Sequence, residues 1–342
     1  MTPGAPLPCG DFHPAWWLPG PHLQSIWGRL SRPRRLVLFR REIVPTPDGD
    51  ELLLDHVNAT DGAPRLLLLH GLEGSSYSVY VQGLAKVARR TGLAVTALNF
   101  RSCARLPDDI GTTLPNKRPR FYHSGDTADA DLVLHLLHRR APKTPLLAAG
   151  ASLGGNVLLK WLGENPGQTL VRAAATMSVP YDLAAGARFL EKGAGRAYVA
   201  VFLSTLKAKV KELVVRFPEA KKCIDLERTL ASKTFWEFDD AATGPLHGFT
   251  GANDYYTRSS SISFVGKIKT PTLSISAADD PFIPPDVLPK VRAAASSHVT
   301  CLFTEKGGHV GFVAGDSPAR AVYWAEETIV QWLAGKVSRT AS

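Results

Sequence analysis

Short runs that are apolar at nearly every consecutive position recur along this chain, at 66–69, 93–100, 145–149, 171–179, 272–276 and 299–303. A strand with one wet face alternates apolar and polar residues. A run apolar on both faces is what a strand covered on both sides requires. Helical patterns fill the gaps between these runs. Val81, Leu84, Val87 and Ala88 share one helix face. Residues 126–139 bring Leu132, Val133, Leu136 and Leu137 together, with Ser124 or Asp126 available as N-cap. Further helical patterns lie at 157–162, 287–295 and 319–333. Ahead of them, 36–44 and 51–57 flank the turn residues Pro47, Asp48 and Gly49, the pattern of an antiparallel hairpin. A hairpin followed by strand–helix units predicts an α/β fold, a mostly parallel sheet with helices on both faces.

One stretch breaks the alternation. Residues 182–258 carry helical patterns but no convincing strand. Within 196–217, Val199, Phe202, Leu203, Leu206, Val210, Leu213 and Phe217 form one stripe, with Lys207, Lys209 and Lys211 mostly off it and expected to face water. The 342 residues suit two domains or one large domain with an insertion. The second fits the pattern: a core of 36–181 and 259–335, a helical cap insertion at 182–258, and an irregular arm at 1–35 rich in Pro, Trp and Arg.

The run at 145–149 leads into Gly150-Ala151-Ser152-Leu153-Gly154, and a helix follows at once. G-x-S-x-G between strand and helix marks a sharp turn that presents a serine hydroxyl at the carboxyl end of the sheet. Ser152 is therefore the candidate nucleophile. A serine needs a base to take its proton and an acid to orient that base. On this fold plan they follow in the order acid, then histidine. Asp279 and Asp280 stand just past the run at 272–276, in a turn stiffened by Pro281 and Pro284; Asp280 is favoured. His309 follows two glycines after the run at 299–303 and is the candidate base. The backbone amides of Leu72, in the loop His70-Gly71-Leu72-Glu73-Gly74, and of Leu153 are the candidate oxyanion donors. His56 and Asp61 form an HxxxxD string in the hairpin region, read as coincidental.

Further motifs accompany these residues: His22-Leu23-Gln24-Ser25, HGLEGSS at 70–76, Asn99-Phe100-Arg101, and Tyr122-His123-Ser124-Gly125-Asp126. GASLGGN at 150–156, PLHGF at 245–249, DYY at 254–256, SSS at 259–261 and DDPFIP at 279–284 complete the set. Over residues 13–334 the chain resembles α/β-hydrolases of the YheT-like branch, which includes mammalian abhydrolase-domain proteins and yeast medium-chain ethanol acyltransferases. The resemblance implies the α/β-hydrolase fold, a charge-relay triad of Ser152, Asp280 and His309, and carboxylic-ester hydrolysis. The chain departs after Asn-x-Arg, where the family has Gly-Cys-Ser and another Gly. Here Arg101-Ser102-Cys103-Ala104-Arg105 leads into a basic loop to Arg120, expected near the site mouth. No base is expected beside Cys103, so it is not read as a second nucleophile. His123 is read as structural or as lining the site.

Forty Lys and Arg against 31 Asp and Glu give a net charge of +9. The excess is local: 29–41 holds six arginines and no acid, and 186–233 holds eleven basic against five acidic residues. Such balance suits nucleic acid, anionic lipid or acidic substrates. No nucleic-acid-binding module is recognisable, and none is expected as a partner. No apolar run reaches the roughly 18–20 residues of a membrane helix, so peripheral membrane contact is the most that is expected. Four widely spaced cysteines without a CxxC pair fit a reducing cytoplasm and argue against a disulfide scaffold and a zinc site. The start of the chain has neither the basic nor the apolar region of a secretory signal. There is no Walker-type or dinucleotide fingerprint, so no cofactor is expected. The expected activity is a serine carboxylic-ester hydrolase acting through an acyl-serine on short- to medium-chain aliphatic esters. An alcohol O-acyltransferase or a phospholipase-type lipid hydrolase with the same triad is the alternative.

Overall fold

The computed structural model describes residues 9–337. Its centre is an eight-stranded sheet built from β1 (Arg40–Pro45), β2 (Glu51–Val57), β3 (Arg65–Leu69), β4 (Ala94–Asn99), β5 (Leu146–Ala151), β6 (Val171–Met177), β7 (Thr272–Ala277) and β8 (Val299–Thr304). The spatial order is β1-β2-β4-β3-β5-β6-β7-β8. β2 pairs antiparallel with both neighbours, and from β4 onward every pairing is parallel. The helices are α1 (Pro21–Ser31), α2 (Val79–Arg90), α3 (Ala128–Arg140), α4 (Leu153–Glu164), α5 (Leu183–Leu190) and α6 (Gly195–Arg216), followed by shorter ones. Two of the later helices, Val287–Ala294 and Trp324–Ala334, also cover the sheet.

The continuous apolar runs have a direct cause. Leu66 and Leu68 of β3 belong to a core with α2 and the helix Trp324–Ala334. Leu67 and Leu69 belong to the opposite core, with α3, α4 and Val287–Ala294. Each face of the sheet is thus sealed by helices, and neither set of side chains can be polar. α4 lies in the middle of the molecule, and Leu153 through Gly163 are all buried. An all-round buried helix shows no strong amphipathic stripe.

Several local expectations are corrected. The first strand starts at Arg40, not Leu36. The Leu36 and Val37 amides donate to Gln82 Oε1 instead of to a ladder. α3 has Thr127 at its N-cap position, without a side-chain cap. Asp126 is held instead by Arg120, and the Ser124 amide donates to Tyr255. The last helix starts at Trp324, because Val313–Ala314 and Val322–Tyr323 pair as a small ribbon. The arm is not irregular throughout, since α1 runs through it. α1 buries polar residues: Gln24 exchanges hydrogen bonds with the Val313 backbone, and Arg32 forks onto Glu326. Leu23, Ile26 and Leu30 point outward and only Trp27 packs inward, so a period sought in apolar positions gives no core-facing stripe.

The Arg32–Glu326 pair is almost fully buried. A Cβ on Gly83 of α2 would lie 1.9 Å from Glu326 Oε2, so only glycine leaves the pair room. Burial pushes the Glu326 carboxyl up to about 7, against the pull of Arg32. Ionising it as pH rises through 7 therefore costs stability, and Arg32 limits that cost. Arg32→Met should lose about 3–5 kcal/mol at pH 8, because a buried charge is stranded. The deficit should shrink below pH 7 as Glu326 protonates. Thermal melts of both proteins from pH 5 to 8 test this; a deficit independent of pH would refute it.

Candidate active site

β5 turns into α4 through Ser152, whose φ of 51° and ψ of −122° place a non-glycine residue in a strained region. The flanking glycines make the turn possible. A Cβ on Gly150 would sit 2.4 Å from the Gly154 carbonyl oxygen. One on Gly154 would sit 2.5 Å from the carbonyl oxygens of Leu69 and His70. The turn is thus pressed against the end of β3, and the serine side chain faces outward at the carboxyl ends of the strands.

Ser152 Oγ lies 3.0 Å from His309 Nε2. His309 Nδ1 lies 2.9 and 3.1 Å from the two carboxylate oxygens of Asp280. With the proton on Nδ1, facing the carboxylate, the Nε2 lone pair faces the serine. Asp280 is buried just past β7 and also accepts the Phe282 amide. Its neighbour Asp279 does not reach the imidazole in this way. It accepts the Gly308 amide at 2.9 Å and so holds the loop that carries His309. The Phe282 ring stacks on the imidazole, with centroids 4.1 Å apart.

The loop after β3 runs beside the serine. Gly71 N–H donates to the Tyr80 hydroxyl at 2.7 Å, and Glu73 N–H donates to the Tyr122 hydroxyl at 2.6 Å. Leu72 N–H, between them, has no hydrogen-bond partner among the described residues. The Leu153 amide opens α4, at a helix N-terminus where N–H groups have no intrahelical acceptor. His70 shapes this loop. Its Nε2 accepts the Phe100 amide, and its Nδ1 faces the Gly71 carbonyl oxygen. Burial drives its pKa down to about 4, so it is neutral. His56 is far from this arrangement in β2, bonded to Glu42 and Thr96.

The family model for the alpha/beta hydrolase fold matches residues 64–316. YheT of Escherichia coli, named as an esterase, is 35% identical over 94% of this chain and 93% of its own length. The Bos taurus protein named Phospholipase ABHD3 is 30% identical over 93% of this chain and 77% of its own. The chain belongs to the alpha/beta hydrolase family. It is a hydrolase of the esterase and lipase type. The crystal structure of the Pyrococcus furiosus esterase Pf2001 shares the fold, with a TM-score of 0.57 at 14% identity, over 90% of this chain and 94% of that one.

In this hydrolase Ser152 and His309 open onto a cavity of about 580 Å³. Leu183, Leu190, Phe202, Leu206, Phe235 and Phe238 form much of its wall. Arg29, Arg34 and Arg105 reach it on the side of α1 and the basic loop. His123 lines it as well, and is also packed between His247, Phe249 and Tyr255.

Lys209 of α6 is not turned to water as its place on the helix suggests. Its Nζ lies 2.6 Å from Glu73 Oε1 and 3.4 Å from Cys103 Sγ, at the cavity wall. Burial works against the ammonium, but Cys103 and the Glu73 carboxylate outweigh it, and its pKa is held above the ordinary lysine value. Cys103 therefore has a cationic neighbour, which the spacing does not reveal. Burial still pushes the thiol up to about 11, so it is protonated at neutral pH and a poor nucleophile.

Ser25 carries a contact that residue order alone does not disclose. Its Oγ donates to the Pro21 carbonyl oxygen and accepts the His309 amide at 2.8 Å. A Cβ on Gly308 would sit 2.4 Å from that same Pro21 oxygen, so α1 and the histidine loop are in direct contact. The motif His22-Leu23-Gln24-Ser25 is the signal in the sequence, but it names no partner. Ser25→Ala should lower kcat on a soluble ester about ten- to a hundredfold with little change in KM, since small misplacements of a reacting group cost that much. Ser25→Thr should restore it. An unchanged kcat for Ser25→Ala would refute the contact's importance.

Proposed function

We propose that this hydrolase cleaves carboxylic esters through an acyl-serine intermediate on Ser152, with short- to medium-chain aliphatic acyl groups as its substrates. The observation that carries the reading is the unbroken Ser152–His309–Asp280 hydrogen-bonded line at an apolar cavity. His309 Nε2 takes the serine proton as Oγ bonds to the ester carbonyl carbon. The Leu72 and Leu153 amides donate to the oxyanion that forms. Collapse breaks the bond to the alcohol, which leaves with the proton from His309. Water then repeats the sequence on the acyl-enzyme, releasing the acid and free serine. Asp280 holds the imidazole in the useful tautomer and stabilises its charged form.

The volume of the cavity falls within the range that holds a small-molecule ligand. Its leucine and phenylalanine walls favour an aliphatic chain, and the segment 182–258 acts as the cap that supplies them. A lipid ester with an anionic headgroup is a second reading. Arg29 and Arg34 at the mouth favour it, and so do the relatives named for phospholipase and monoacylglycerol lipase activity. An alcohol in place of water would make the same acyl-enzyme an acyltransferase, and competition between the two acceptors measures that share. All four cysteines are unpaired, which supports a reducing, cytoplasmic setting. No helix among the described residues is long and apolar enough to cross a membrane.

The test compares wild type with Ser152→Ala on p-nitrophenyl esters from acetyl to dodecanoyl. Activity should fall by about 10⁴–10⁶ in the variant, because members of such a triad act as a unit. Equal activity of the two proteins overturns the reading. Leu206→Trp fills part of the cavity and should move the best substrate toward shorter chains with the triad intact. The same optimum in both proteins would mean that the acyl chain lies elsewhere.

A further inference from the structure

α1 is an inverted amphipathic helix. Its inward face carries Gln24 on the Val313 backbone, Ser25 on the His309 amide and, as its one inward apolar side chain, Trp27 against Trp17, with Arg32 just past its end on Glu326. Its outward face is apolar. Leu23, Ile26 and Leu30, spaced three and four residues apart, form one stripe and are 43%, 37% and 74% exposed. A helix held only by packing would place this stripe inward. The arm also exposes Trp16, and Leu38 just after it is exposed too.

The stripe is bordered by positive charge. Arg29 and Arg34 are exposed and take part in no salt bridge among the described residues. No acidic residue occurs between His13 and Arg41. The stripe also borders the site: Ile26, Arg29 and Arg34 line the catalytic cavity, and so does Val201 of α6, itself more than half exposed. His22 joins the two helices through the Tyr198 hydroxyl at 3.1 Å.

We propose that the outward face of α1 docks on the surface of an anionic lipid bilayer, with the cavity mouth turned toward the lipid. Apolar side chains entering the acyl boundary and arginines meeting anionic headgroups are the two components of interfacial helix binding. A second copy of the chain is a poorer occupant. A two-fold contact through this face would set Arg29 and Arg34 of one copy near those of the other. The proposal deepens the lipid-ester reading of the site, whose substrate would then reach Ser152 from the membrane plane. It also places the docking helix in contact with the catalytic histidine through Ser25.

The test is co-sedimentation with vesicles of phosphatidylcholine alone or mixed in equal parts with phosphatidylglycerol. Ser152→Ala serves as the parent, so binding is read apart from chemistry. The parent should bind the mixed vesicles well and the neutral ones weakly, with binding that falls as salt rises. Leu23→Ser with Leu30→Ser should weaken binding at least about tenfold, because two apolar side chains no longer leave water. Arg29→Gln and Arg34→Gln should each cost about fivefold on mixed vesicles only. In the wild-type background, the double leucine variant should keep its Tm and its rate on a soluble ester. Absence of binding to mixed vesicles, or equal binding by the leucine variant, overturns the proposal. So does a self-association that the leucine variant abolishes without any effect on vesicles. Vesicle binding by a Ser152→Ala protein that remains fully active would instead overturn the acyl-serine reading alone.

Discussion

The whole arrangement depends on how closely two pieces of backbone approach each other beside Ser152. Gly150 lets the β5–α4 turn close on itself, and Gly154 lets it press against the carbonyl end of β3. That contact sets the serine at the strand ends and brings the loop from Gly71 to Glu73 alongside it. Strand order follows the same logic. β3, β5 and β6 are neighbours at the centre of the sheet, so the turns that leave their ends share one rim. Small residues in β5 and β6, Ala148 and Ala174, accompany the close packing of α4 on its face of the sheet.

Buried polar side chains then fix the loops that the sheet only roughly positions. Asn156 on α4 donates to the carbonyl oxygens of Ser124 and Ser259 and accepts the Ser261 amide. Asp55 receives hydrogen bonds from Arg41, Ser76 and Asn99, which ties the hairpin to the loop after β3. Arg101 forks onto Asp129 and reaches Asp50, which pins the start of the basic loop. Each of these groups, left without its partners, would carry a desolvation cost of about 1–3 kcal/mol or more. Specific loop positions are thus enforced by penalties for leaving them.

Much of this was legible in the sequence, for reasons that differ by element. The core strands stood out because burial on both faces removes polar residues from them. Ser152, Asp280 and His309 stood out because each sits in a short, distinctive setting immediately after a strand. Their mutual contact, however, is made across 157 residues between Ser152 and His309, and no local pattern states it. Helix periodicity alone turns Lys209 to water, because its partner Glu73 is 136 residues away and periodicity does not register ion pairing. Gln82 took the amides of Leu36 and Val37 for the same kind of reason, and an expected strand end became a loop. α1 is hidden from such patterns because Leu23, Ile26 and Leu30 face outward and the inward face is held mainly by polar groups.

The contact between α1 and the histidine loop changes what counts as the smallest working unit of this enzyme. The region that matches the family model begins at residue 64 and ends at 316. Ser25, Gln24 and Arg32 lie before it, and Glu326 lies after it. A chain shortened to the matched region keeps Ser152, Asp280 and His309 yet loses the brace behind the histidine. Boundaries drawn from the recurring part of a fold would therefore cut through the contacts that hold the His309 loop. An insertion or deletion within α1 would shift Gln24, Ser25 and Arg32 away from these partners, although the arm lies outside the sheet.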